Sequence, residues 1–114
     1  MQVSKEKLFE MQADLCAVMA NAKRLMILDF LSRKDEANVG QIAEELDLPV
    51  TVVSQHLRLM RDGNVVVSRK CGHCVCYRLK HPELMTGCHA VREVLRAELK
   101  QRGQLAELIE DQTE

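Results

Sequence analysis

At 114 residues, 46% hydrophobic and 29% charged, the chain has the composition of one small globular domain rather than of a disordered segment. No apolar run approaches the ~20 residues of a membrane helix and no signal-peptide pattern opens the chain, so a soluble cytoplasmic protein with five reduced cysteines is expected. The net charge of −1 is unevenly spread: residues 51–80 hold six basic side chains against Asp62 alone, while residues 1–50 and 81–114 are each acidic. A cationic middle between acidic flanks is the distribution that neutralises phosphates locally.

The first helical pattern runs from about Ser4, a candidate N-cap with Lys7 at the capping-box position, to about Ala20. Leu8, Met11, Leu15 and Val18 form one apolar stripe, and Phe9, Ala13, Cys16 and Ala20 form a second. Two stripes predict a helix covered on two sides, by its own domain and by a partner subunit. Only Phe9, Phe30 and Tyr77 are aromatic, so the core must come from Leu, Val, Ile, Met and Ala, and a chain of this size gains from dimerisation. After a break at Asn21-Ala22, a second helix runs through Leu25, Ile27, Leu28 and Leu31, followed by a polar loop over Asp35 to Asn38. Val39, Ile42, Ala43 and Leu46 give a short third helix ended at Asp47-Leu48-Pro49, because a residue preceding proline is pushed out of helical geometry.

The fourth helix begins at Pro49. Val50, Val53, Leu57 and Met60 fall at 3-4-3 spacing and predict its core stripe. Its other face carries Thr51, Ser54, Gln55, Arg58 and Asp62, with neither Lys nor Glu. Hydroxyls, an amide and a guanidinium are groups that reach base edges and phosphates in a major groove. A left-handed glycine or asparagine in Asp62-Gly63-Asn64 should stop this helix. Val65-Val66-Val67 and Val75 to Leu79 read as the strands of a basic hairpin turning at Cys71-Gly72-His73. Beyond Pro82, Leu84, Cys88, Val91, Leu95 and Leu99 trace a long amphipathic helix closing near Gly103. Leu105, Leu108 and Ile109 suggest a further turn, and residues 110–114 a frayed acidic tail on a single domain spanning 1–114.

The order α-α-α-α-β-β-α, with Val53-Ser54-Gln55-His56-Leu57-Arg58 in the fourth helix, Tyr77-Arg78-Leu79 ending the hairpin and Asn21-Ala22-Lys23-Arg24-Leu25 opening the second helix, resembles the ArsR/SmtB-type winged helix-turn-helix repressors over roughly residues 8–102. The resemblance implies a mainly α fold with a β-hairpin wing, and a homodimer joined through its first and last helices. It further implies a non-enzymatic repressor of a double-stranded DNA operator, with no membrane association, released by an inducer. Carried over by position, Thr51, Ser54, Gln55 and His56 face the groove, and Arg69, Lys70 and His73 serve the wing; Arg58 is added as a DNA contact from its place on the polar face of the fourth helix. His56 also reads as a side chain packed at the helix flank. The family's familiar inducer sites are incomplete: Ala37-Asn38-Val39-Gly40 stands where arsenite sensors carry Cys-x-Cys, and His81 and Glu83 are followed by Val94 and Ala97 where zinc sensors place ligands.

No cofactor is required on this reading, but the cysteines form two candidate sensing sets. Cys16 and Cys88 fall on the two helices of the implied dimer interface, where a dithiol can be oxidised, bridged by sulfur or bound to a soft ion. They read equally as small buried apolar residues. Cys71, Cys74 and Cys76 crowd the wing, where three thiolates suit a trigonal metalloid such as arsenite better than tetrahedral zinc. They also read as exposed decoration of a variable turn. The helix pair is preferred, because a ligand between helices biases the spacing of two recognition helices. Cys71-Gly72-His73-Cys74 carries the spacing of a dithiol oxidoreductase, but in a hairpin rather than at the helix N-terminus that would lower a thiol pKa.

Overall fold

A computed structural model describes residues 2–103. The chain divides into two compact units, Met1–Pro82 and Glu83–Glu114. In the first, α1 (Lys5–Met19), α2 (Ala22–Lys34), α3 (Val39–Leu46) and α4 (Val50–Asp62) accompany a sheet of β1 (Ala37–Asn38), β2 (Val66–Cys71) and β3 (Cys74–Leu79). The second holds α5 (Leu84–Gln101). The suggested turn at Leu105, Leu108 and Ile109 and the acidic tail lie outside the described residues.

Three of the four helix starts in the first unit are set by side-chain caps, and α4 starts at Pro49 without one. The Ser4 hydroxyl accepts from the Lys7 amide at 3.1 Å, and the Asn21 side chain accepts from the amides of Lys23 and Arg24 at 3.0 and 3.1 Å. Asn38 and Gln41 close a reciprocal capping box on α3, with bonds of 2.8 and 2.9 Å. Asp47 takes a left-handed φ of 53° between α3 and α4, and its side chain is exposed. At the end of α4 the left-handed residue is Asn64, with φ 64°, whereas Gly63 has φ −86°. Gly63 serves another purpose: a Cβ there would lie 2.8 and 2.9 Å from the two γ-methyls of Val18, so the absent side chain admits α1 to the end of α4.

The core gathers Ile27, Leu28, Phe30 and Leu31 of α2, Ile42 and Ala43 of α3, Val53, Leu57 and Met60 of α4, and Val65, Val66, Tyr77 and Leu79 of the hairpin region. Val50 departs from the expected stripe: it lies in the first turn of α4 and is 55% exposed. Asp35 to Asn38 also departs from the expected loop. Ala37 and Asn38 form a strand opposite Tyr77 and Cys76, making the sheet three-stranded in the order β1-β3-β2. Two residues are too few for alternation to register in a sequence; Ala37 is drawn in because its side chain is buried on the Tyr77 face. The fold is the expected winged helix-turn-helix, with one extra strand buttressing the wing.

Neither apolar stripe of α1 is buried: Leu15 and Val18 are half-buried, and Leu8, Phe9 and Met11 are exposed. Leu8, Met11, Leu15 and Val18 line a groove of about 640 Å³ with Gly63 and Asn64. On α5, Met85 alone is buried, and Val91, Val94 and Leu95 are exposed. No described helix is long and apolar enough to cross a membrane.

Candidate nucleic-acid interface

Burying Val53, Leu57 and Met60 fixes the rotation of α4 and so decides which side chains face outward. Thr51, Gln55 and Arg58 are exposed, four and three residues apart along one outward face, while Ser54 is half-buried beside them. This face offers a hydroxyl, an amide able to make two hydrogen bonds and a cation that can reach a phosphate.

His56 is different. It is half-buried at the helix flank, and its Nδ1 lies 3.4 Å from Nη1 of Arg24, whose Nε donates to the Val18 carbonyl at 2.6 Å. Arg24 thus joins the end of α1 to α4. Burial, then the positive charges of Arg24 and Lys23, hold the His56 pKa below its ordinary value. The packed reading of His56 is the one its surroundings favour, and Arg24 is a residue that sequence reasoning missed. An arginine early in a helix carries no sign that it will turn back onto two other elements.

The wing turns through Gly72 and His73, with Gly72 supplying a φ of +64° at the first turn position. Pairing runs from Val66↔Leu79 to Cys71↔Cys74. Strand alternation therefore puts Val66, Ser68, Lys70, Val75, Tyr77 and Leu79 on one face and Val67, Arg69, Cys71, Cys74, Cys76 and Arg78 on the other. Lys70 and His73 are exposed toward the tip. Arg69 is already occupied. Its Nε and Nη2 donate to the two carboxylate oxygens of Glu36 at 2.6 and 2.7 Å, a bidentate pair joining the segment before β1 to β2. That bond to Arg69 is the first cause holding the Glu36 carboxyl below the usual range, and Arg78 adds to it.

The wing thiols assemble differently from the expected three-cysteine set. Ligand atoms of Glu36, Cys71 and Cys76 all lie within 4.8 Å of one another, and all three residues are half-buried. Cys74 is exposed at the last pair of the hairpin and stands outside this group. The reason is the third strand: β1 pairs with β3 only as far as Cys76, so a carboxylate is delivered to the middle of the wing and not to its tip. The Cys76 thiol is pushed up to about 11, first by its hydrogen bond to Cys71 and then by desolvation. Cys16 is exposed on α1 and Cys88 half-buried on α5, each within its own unit.

A helix-turn-helix domain family matches residues 19–69, the stretch from the end of α1 to the middle of β2. The nodulation protein NolR of Rhizobium meliloti is 40% identical over 68 residues, 60% of this chain and 55% of that protein. The transcriptional repressor PagR of Bacillus anthracis is 37% identical over 75 residues, 66% of this chain and 75% of PagR. Its crystal structure superposes with a TM-score of 0.68 at 32% identity, covering 76% of this chain and 99% of that one. A homodimeric winged helix-turn-helix DNA-binding domain from Mycobacterium bovis, a possible ArsR-family transcriptional regulator, superposes with a TM-score of 0.74 at 27% identity, covering 89% and 93%.

Proposed function

This chain belongs to the ArsR-type family of winged helix-turn-helix DNA-binding transcriptional regulators, and on that premise we propose that it is a homodimeric repressor of a double-stranded DNA operator. The observation that carries the reading is the outward face of Thr51, Gln55 and Arg58 on a helix locked by its buried stripe. Exposed Lys70 and His73 on the wing add a cation and a hydrogen-bonding imidazole suited to phosphate contact. Dimerisation is supported by the apolar residues left uncovered in a single chain, Phe9 at 62% exposed and Leu95 at 58%. A two-fold dimer presents two recognition helices to successive major grooves, so the operator is a palindrome with half-sites about one DNA turn apart.

Selection of bound sequences from a random duplex library tests this directly. Enrichment of a palindrome protected in footprinting supports the reading. Binding that shows no sequence preference, with a strength set by salt alone, defeats it.

The inducer we propose is a thiol-reactive species, an oxidant or reactive sulfur compound, acting through Cys16 and Cys88. Both lie on helices whose exposed apolar faces suit a dimer interface, so modification there alters the geometry presented to DNA. Release from DNA by peroxide or polysulfide is to be compared in Cys16→Ser/Cys88→Ser and Cys71→Ser/Cys74→Ser. Loss of induction in the first variant alone is the expected result. Loss in the second alone transfers sensing to the wing.

A further inference from the structure

The Glu36, Cys71 and Cys76 group contributes nothing to the DNA-facing surface of α4, yet three different strands or strand ends converge to build it. Cys71 ends β2, Cys76 is the third residue of β3, and Glu36 immediately precedes β1. Hydrogen-bonded pairing fixes all three backbones relative to one another, through Asn38↔Cys76 on one side of β3 and Arg69↔Cys76 on the other. We propose that these three side chains form a binding site for a divalent d¹⁰ cation, Zn(II) or Cd(II), and that the metal competes with Arg69 for Glu36.

Geometry and donor chemistry agree. Two thiolates on a tetrahedral zinc, each at ~2.3 Å, stand roughly 3.8 Å apart. The three ligand atoms already lie within 4.8 Å of one another, so closure on an ion requires a shift of about 1 Å or less, within the reach of side-chain torsions. Two sulfurs and one carboxylate oxygen exclude the hard cations, which take oxygen shells. They also disfavour a trigonal metalloid, which takes three thiolates, since Cys74 is outside the group. Three protein ligands leave a fourth position for water, and a cavity of about 90 Å³ bordered by Glu36, Ser68, Cys76 and Arg78 adjoins the site. Half-buried ligands leave the ion a path from solvent.

Charge decides the consequence. Two thiol protons leave as the dication enters, so the net charge of the wing is unchanged. What changes is the pairing of Arg69, which now uses both Glu36 oxygens. A metal on either oxygen breaks the bidentate bond and loosens the guanidinium. The site is thus distinct from the Cys16 and Cys88 reading, and it can be tested on protein alone, with no DNA present.

The test is titration of the full reduced chain with Cd(II), read by the ultraviolet thiolate-to-metal charge-transfer band, with circular dichroism confirming that each variant is folded. One equivalent should bind with a two-thiolate band that survives in Cys74→Ser and in Cys16→Ser/Cys88→Ser. Cys71→Ser and Cys76→Ser should each weaken binding by at least about tenfold and change the band. Glu36→Gln should weaken binding while keeping the band, and Arg69→Ala should tighten it by removing the competitor. Binding unchanged in Cys71→Ser or Cys76→Ser overturns the proposal. So does loss of the band in Cys74→Ser, or its loss only in Cys16→Ser/Cys88→Ser.

Discussion

Nη1 of Arg24 lies 3.4 Å from Nδ1 of His56, while the same guanidinium donates to the Val18 carbonyl at 2.6 Å. One side chain of α2 therefore braces both α1 and the flank of α4. Donation from Arg24 requires an unprotonated Nδ1, which leaves the ring proton on Nε2. Burial and the two neighbouring cations depress the His56 pKa. Over the interval below the ordinary value of 6.5, the unfolded chain then binds more protons at this residue than the folded one. Stability is fully present above that value and is lost as the pH falls toward the folded-state pKa. Urea midpoints at roughly pH 7.5 and pH 5 should differ, and His56→Gln should shrink the difference. An equal acid loss in parent and variant would assign the effect to other groups.

Gln55 and Lys70 should fail in different ways. Gln55→Ala removes an amide suited to a bidentate base contact and should cost about 1–3 kcal/mol of discrimination at particular base pairs. Lys70→Ala should weaken all sequences evenly and lower the slope of log affinity against log salt by about one. Competition binding across a salt series separates the two. A Gln55→Ala protein with parental selectivity would remove that residue from the interface.

The Glu36 pair changes what is expected of Arg69. A guanidinium already held by a carboxylate releases less on reaching a phosphate, so Arg69→Ala should lower the salt slope by less than Lys70→Ala does. Glu36→Gln should raise affinity for non-specific duplex by leaving Arg69 unneutralised. Equal slopes for the two alanine variants would mean that the ion pair opens freely on DNA.

Gly63→Ala tests how α1 is seated. The added methyl would meet both Val18 γ-carbons below 3.0 Å, and overpacking of this kind costs about 1–3 kcal/mol. The φ of −86° suits alanine, so backbone strain does not contribute. Val18→Ala should recover part of the loss, and chemical denaturation of the double variant measures it. No recovery would place the strain elsewhere.

Leu95→Glu and Phe9→Glu each put a charge on an apolar residue that is exposed in a single chain. Both should shift sedimentation toward monomer and abolish binding to a palindromic site, because a buried unpaired charge is strongly disfavoured. A stable dimer in both variants would move the interface away from these residues.

The sequence alone determined whatever is encoded within one element. The 3.6-residue period of Val53, Leu57 and Met60 set the rotation of α4 and with it the outward position of Thr51, Gln55 and Arg58. The side chains of Ser4 and Asn21 and the β-branched run at Val65 to Val67 likewise marked their own helix starts and strand. Tertiary structure decided whatever depends on elements far apart in the chain. A two-residue strand carries no periodicity, so β1 appears only once β3 offers it an edge. Glu36 then reaches Arg69, Cys71 and Cys76, residues more than thirty positions away. Arg24 reaches His56 across a similar distance, a contact that nothing within either helix announces. Local preferences act over a few residues through the backbone, but long-range pairings form only when burial of the shared core brings their elements together.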